Sequence, residues 1–377
     1  MSTLQDVNLV RDLEHELTEA NQDDLNKVIV AYKHNLFDET LQAIQSFRYN
    51  YEMNERLHYT LTLIEGTCLA QTGDTNEASD ALKALYDQQQ DLSIDNLFLL
   101  SNIAYMNDYK LTRRIMSNTI KLLEAEEEVD HDKAAHGYLL LGEVEEQLEA
   151  YVRATRYNEK ALAYLGEMDN PDRETVLFLH YKLGALHSRQ NDIEEAINHL
   201  NTTLELAGDE YLDIKANSLV SIARMYSAQE SYQEAINYLL QALPLLDRSS
   251  LANQYVHAEA YTELAYDYFA LSQLTEAVLY YPKAIELHKQ INGYSKREVG
   301  MIHMQYAYCL EKKDEPELAQ AGIQYENAIS ELEESTDDSL LENALVDVIN
   351  FFDRRGNQRK KSYYEKKAVR LTNNQPN

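Results

Sequence analysis

The chain is predicted to be all-α and built of helix pairs, and three observations carry this. One pattern of small and large residues is written twice between Ala216 and Leu287, 42 residues apart. In the first copy Leu219, Ile222, Ala223 and Tyr226 make one apolar stripe, and Ala235, Leu239 and Ala242 make a second after the polar break Ala228-Gln229-Glu230-Ser231. In the second copy the same places hold Tyr261, Leu264, Ala265 and Tyr268, then Ala277, Tyr281 and Ala284, with the break at Leu271-Ser272-Gln273. The spacing i, i+3, i+4, i+7 is that of one face of a helix, so each copy reads as two amphipathic helices joined by a tight turn. The second observation is the alanines. A small residue where two helices cross lets their backbones approach, and the large residue one turn away fills the space beside it. The third is composition: 11 Gly, 5 Pro and no Trp in 377 residues are too few turn formers for a β-sandwich or an α/β protein of this length.

The pattern resembles the tetratricopeptide repeat, whose core is a small residue in the first helix, an alanine 12 further on and another 7 beyond. Laid along the chain, the first small site falls at Ala31, Gly66, Ala104, Gly142, Gly184, Ala223, Ala265 and Ala307, at intervals of 35, 38, 38, 42, 39, 42 and 42 residues. The second falls at Ala43, Ala78, Ala154, Ala196, Ala235 and Ala277, with Met116 in the third copy. In the eighth copy the longer turn Glu311 to Pro316 moves the small sites to Ala321 and Ala328, and a degenerate ninth lies over Ile349, Lys361 and Ala368. The resemblance implies a right-handed superhelical solenoid of about nine helix-turn-helix repeats.

Taken in order, residues 1–22 are expected to be a capping segment, with Leu4, Val7, Leu9, Val10, Leu13 and Leu17 on a short helix over the open end of the first repeat. Residues 23–371 form the solenoid as a single domain. Its first helix starts at Asp23-Asp24, where acidic side chains favour a helix N-terminus. Tyr32, Phe37, Phe47, Tyr49, Tyr51 and Tyr59 read mostly as core and groove aromatics. Glu124 to Asp132, with His131, reads as a solvated linker without metal-ligand spacing. Asn170-Pro171-Asp172 reads as a turn and helix start, and Pro316 suits the first turn of its helix. Pro244 and Pro282 fall inside second helices, which they should bend. Cys68 and Cys309, in first helices of distant repeats, read as small hydrophobes. Residues 372–377 read as a disordered tail.

Charge and motifs narrow the function. A net charge of −30 repels phosphate backbones and anionic membrane faces, so neither nucleic acid nor membrane is expected as a partner. No apolar run reaches membrane-spanning length, and Met1 to Ala20 is polar and acidic where a secretory signal is basic then apolar, so a cytoplasmic location is expected. No Gly-rich phosphate loop, GxSxG, HExxH or CxxC pair is present. His180 and His187 share a helical face without a carboxylate cluster beside them. A non-enzymatic protein without cofactor or metal is therefore expected.

Length and repeat period also resemble, more loosely, the bacterial response-regulator aspartate phosphatases and related peptide-pheromone receptors. In those phosphatases a glutamine shortly before a Tyr-Tyr-Ser-Leu-like stretch does the chemistry. Here His58-Tyr59-Thr60-Leu61 is the corresponding stretch, and Met53 stands in the glutamine's place.

In the tetratricopeptide family the concave wall is lined by first-helix residues flanking the small one. Carried over, these are Tyr105, Phe178, Tyr181, Asn217, Arg224, Tyr266, Phe269, Tyr308, Asn343 and Asn350. Aromatics supply contact area at low entropy cost, and carboxamides both donate to and accept from an extended backbone, so the set suits a peptide. Asn217 and Arg224 are expected to face Tyr266 and Phe269 as the centre of the groove. Glu143, Glu146, Glu259 and Glu311 share that wall, which favours a neutral or basic peptide or protein ligand. A peptide-regulated phosphatase-like sensor and a multi-partner scaffold are the alternatives. Residues 354 to 370 carry eight cations against the single acid Glu365, a local +7, and offer a route to self-association through a basic last helix.

Overall fold

The computed structural model describes residues 2–88 and 92–374, and among them are nineteen α-helices and no strand. The chain divides into two compact units, Met1–Asn191 and Asp192–Asn377. The first holds α1 (Ser2–His15), then the pairs α2 (Gln22–Lys33) and α3 (Phe37–Asn50), α4 (Glu55–Thr72) and α5 (Thr75–Gln88), α6 (Ile94–Tyr105) and α7 (Tyr109–Leu123), α8 (His131–Gln147) and α9 (Tyr151–Gly166), and finally α10 (Arg173–Arg189). The second begins with α11 (Ile193–Ala207) and continues with α12 (Leu212–Ala228) and α13 (Tyr232–Leu246), α14 (Tyr255–Ala270) and α15 (Leu274–Gln290), α16 (Lys296–Lys312) and α17 (Leu318–Glu333), and α18 (Asp338–Arg354) and α19 (Gln358–Asn374). This is the all-α helix-pair repeat class that the spacing predicts.

The small residues sit where helices touch. Ala104, Ala223, Ala265 and Ala307 of the first helices and Ala78, Ala154, Ala196, Ala235, Ala277, Ala321 and Ala328 of the second are wholly buried. Gly142 shows why the site must be small: a Cβ there would lie 2.7 Å from Asn158 Oδ1, on the partner helix α9. Large side chains fill the spaces between. Phe47, Leu61 and Leu82 belong to a core of the first unit, and Tyr281, Tyr325 and Phe351 to one of the second.

Within the pairs the chain reverses through single residues in the left-handed region. Gly73 and Gly356 do this without strain, but Asn35, Glu149, Glu230 and Ser272 occupy it at φ between 56° and 61°. Asparagine tolerates that conformation, whereas a glutamate crowds its Cβ against the backbone. Glu230→Gly should therefore raise the urea midpoint, by up to about 1 kcal/mol after the extra freedom of the unfolded glycine is set against it. A lowered midpoint would show that Glu230 is held there by contacts stronger than the strain.

α1 lies on α2 and α4, burying Leu9, Val10 and Leu13 in the first core, while the side chains of Leu4 and Val7 lie outside the described residues. Asp23 and Asp24 occupy the first turn of α2, and the Asp172 carboxylate caps α10 by accepting from the Thr175 N–H. Pro244 and Pro282 lie inside α13 and α15. Three local expectations change. Pro316 precedes the N-cap Glu317 of α17 and is not in its first turn, because the longer loop delays the helix. Tyr49 is 91% exposed at the end of α3, outside core and groove alike. The last helix runs to Asn374, so 372–374 are helical where a tail is expected, and 375–377 lie outside the described residues.

Candidate functional site

The wall made by the first helices carries most of the aromatic and charged residues singled out above. In the first unit Tyr105 closes α6, its ring 5.4 Å from that of Tyr109. Burial, with the Glu143 carboxylate adding to it, pushes its hydroxyl up to about 12. On α8, Glu143 and Glu146 are both answered by Lys182 of α10, whose Nζ lies 3.2 and 3.6 Å from them. This wall is thus closed by an internal cation. Phe178 is 38% exposed on α10, Tyr181 is half-buried, and burial lowers the His180 pKa, while the His187 ring lies 3.8 Å from Glu159. Met53 packs against the first core, and Tyr59 is buried with its hydroxyl donating to the Asn96 carbonyl.

The second unit brings more of the wall together. Arg224 on α12 reaches across to α14 and donates to both Glu259 and Glu263, the latter at 2.7 Å. The expected centre is corrected here: the guanidinium faces two carboxylates of its own chain, not Tyr266 and Phe269. Sequence spacing places residues at equal heights on adjacent helices, but a long side chain goes to the opposite charge within reach. Tyr266 instead meets Tyr232 at 6.3 Å and Phe269 at 6.2 Å, and Phe269 meets Tyr308 of α16 edge-on at 5.7 Å. These rings run across three helices, and Tyr308 is 45% exposed. Asn217 is half-buried on α12, and none of these ring contacts involves it.

Beneath the rings sits acid that the sequence reading missed. Asp267 is wholly buried, one oxygen accepting from the Ser227 hydroxyl at 2.7 Å and the other without a hydrogen-bond partner. Burial pushes its pKa up to about 6, against the pull of Ser227. Burial likewise takes Glu263 to about 7 in spite of Arg224, and its second oxygen is also unpartnered. In both the cause is that ionising a carboxylate away from water is unfavourable. Glu259, Glu263 and Asp267 are four apart, which is one helical face and could have been read from the sequence.

The rings lead into a pocket of about 370 Å³ lined by Phe269, Met304, Gln305, Tyr308, Glu311, Lys312, Tyr325, Asp347 and Arg354, with Lys312 paired to Glu311 at 3.0 Å. Arg354 donates to Glu311 at 2.8 Å, and Tyr325 donates to the same carboxylate at 3.1 Å. Burial raises the Asp347 pKa, and no hydrogen bond or ion pair satisfies it among the described residues. Asn343 and Asn350 are exposed on α18 but outside this lining, one turn to either side of Asp347.

Models of the tetratricopeptide repeat match residues 170–248 and 257–296. No curated protein matches the sequence. Solved structures match over much of the chain at low identity. The apo form of RapI has a TM-score of 0.54 at 16% identity, covering 94% of this chain and 98% of that one. A signal-transduction ATPase with numerous domains and a tetratricopeptide sensor, from Pyrococcus horikoshii, gives 0.53 at 16%, covering 98% and 63%. The C-terminal part of a tetratricopeptide-containing protein from Cytophaga hutchinsonii gives 0.54 at 15%, covering 74% and 98%. At these identities the likeness is one of fold.

Proposed function

We infer that this chain, a tetratricopeptide-repeat protein, is a non-enzymatic receptor for a short extended peptide of neutral or basic character, bound on the first-helix wall of the second unit. The observation that carries the reading is the run of partly exposed rings Tyr266, Phe269 and Tyr308, opening into a pocket with one unpaired carboxylate, Asp347. The pocket's size suits one or two side chains, and a monomeric protein rarely leaves contiguous aromatic surface in water without a use. Gln305 can donate to and accept from a peptide backbone. Arg224 is occupied by Glu259 and Glu263 and shapes the wall without meeting the ligand.

A ligand obtained by peptide-library selection and measured by calorimetric titration tests this. Phe269→Ala and Tyr308→Ala should each weaken binding by roughly thirtyfold, about 2 kcal/mol, because each removes a ring that is desolvated on binding. Asn217→Ala, outside the pocket, should leave the affinity unchanged. Equal affinity in the two ring variants, with helicity intact by circular dichroism, would move the site elsewhere. Failure of every peptide would favour the multi-partner scaffold. Loss of phosphate from a phosphorylated response regulator on adding the protein would favour the phosphatase-like sensor.

A further inference from the structure

The basic last helix has two faces, and the structure separates them. On the inner face Lys360 and Lys367, seven residues apart, meet Glu326 and Glu333 of α17, also seven apart, at 2.7 and 2.6 Å. Between them Tyr364 is buried, stacked at 5.8 Å on Phe352 and donating to Glu326. Lys361 is taken by Asp353. The outer face carries a similar stripe, whose Tyr363 ring also meets Lys367 Nζ at 5.2 Å. Arg359, Lys366 and Arg370 lie at i, i+7 and i+11 with Tyr363 at i+4, which is one stripe of a helix. All four are exposed, Tyr363 at 55%, and the three cations have no carboxylate partner among the described residues.

We propose that the outer face of α19 docks an acidic helix of a partner protein, carrying carboxylates about seven residues apart as α17 does on the inner face. Charge complementarity carries the choice of occupant: the stripe is cationic, and on the inner face lysines seven residues apart are met by carboxylates at the same spacing. A second copy of this chain is the weaker occupant. Its acidic N-terminal segment is already engaged, with Asp12 on Arg56, Glu14 on Lys33 and Asp24 on Lys27.

The probe is a labelled synthetic helix of 18 residues with glutamates at seven-residue spacing on one face, followed by fluorescence anisotropy on the full chain. Binding is expected at low ionic strength, falling at least tenfold at high salt because exposed charges are screened within about 8 Å at physiological ionic strength. It should fall at least tenfold in the Arg359→Glu, Lys366→Glu, Arg370→Glu variant and when glutamine replaces glutamate in the probe. Equal binding to the reversed variant, or none to the wild type at low salt, overturns the proposal. So does a single-stranded oligonucleotide that binds as tightly, which would mark a general polyanion site. A salt-sensitive rise in sedimenting mass, abolished by the reversal, would make a second copy the occupant and overturn it as stated. Binding of the groove peptide is read separately, so either result stands without the other.

Discussion

Ala277→Phe is expected to lower the urea midpoint of unfolding sharply, by roughly 1–3 kcal/mol or more. Ala277 is wholly buried on α15 and belongs to the core that also contains Ala265 and Tyr281. A ring placed there has no void to enter, so the helices must separate or neighbouring side chains must leave their rotamers. Leu279→Phe, two residues on and 68% exposed, is the control and should change little. An unchanged midpoint for Ala277→Phe would mean that the small residue is not what sets the distance between the helices, and the reading of the repeat would fail with it.

Asp267→Asn is expected to stabilise the protein at pH 7.5 by about 3 kcal/mol, from a pKa raised from 3.8 to about 6 at about 1.4 kcal/mol per unit. The group is an acid whose folded pKa lies above its unfolded value. Its folded state is therefore favoured while both states are protonated, below pH about 4, and that advantage is lost as pH rises through about 6. Asparagine keeps an oxygen to accept from Ser227 and carries no charge to bury. Urea melts of both proteins from pH 4 to 8 should converge at the acid end and separate towards neutrality. A gap independent of pH, or a less stable variant at pH 7.5, would show that the carboxylate is ionised and satisfied in the folded state.

The buried histidines act in the opposite direction over nearby pH. Burial lowers the pKa of His257, His288 and His303, so they stay neutral in the folded chain while the unfolded chain takes up protons near pH 6.5. Their contribution is present above that pH and fades as pH falls. Comparing wild type with Asp267→Asn cancels this background, which is why the pair is informative and a wild-type profile alone is not.

Much of the fold was legible because it is local and repeated. Helical periodicity needs only a dozen residues, and the volume limit at a crossing leaves a small residue in the same register each time, so Ala223, Ala265 and Ala307 announce one another. The wall was half legible: Tyr266, Phe269 and Tyr308 are where the spacing places them. Asp347 and Arg354 line the pocket and Asn343 and Asn350 do not, although all four share a stripe, because the neighbouring helices decide which side chains of a stripe border a pocket.

By itself, then, the sequence determined the helix pairs, their crossings and the set of faces available to a partner. Only the tertiary structure decided which charges are spent. Arg224 pairs with carboxylates 35 and 39 residues away, Arg354 with one 43 residues away, and α19 gives its inner lysines to α17 while Arg359, Lys366 and Arg370 remain free of carboxylate partners among the described residues. The reason is physical. Secondary structure follows from the spacing of residues along one helix, whereas an ion pair or a buried carboxylate depends on the rotation of neighbouring repeats and on the few ångströms a side chain can reach.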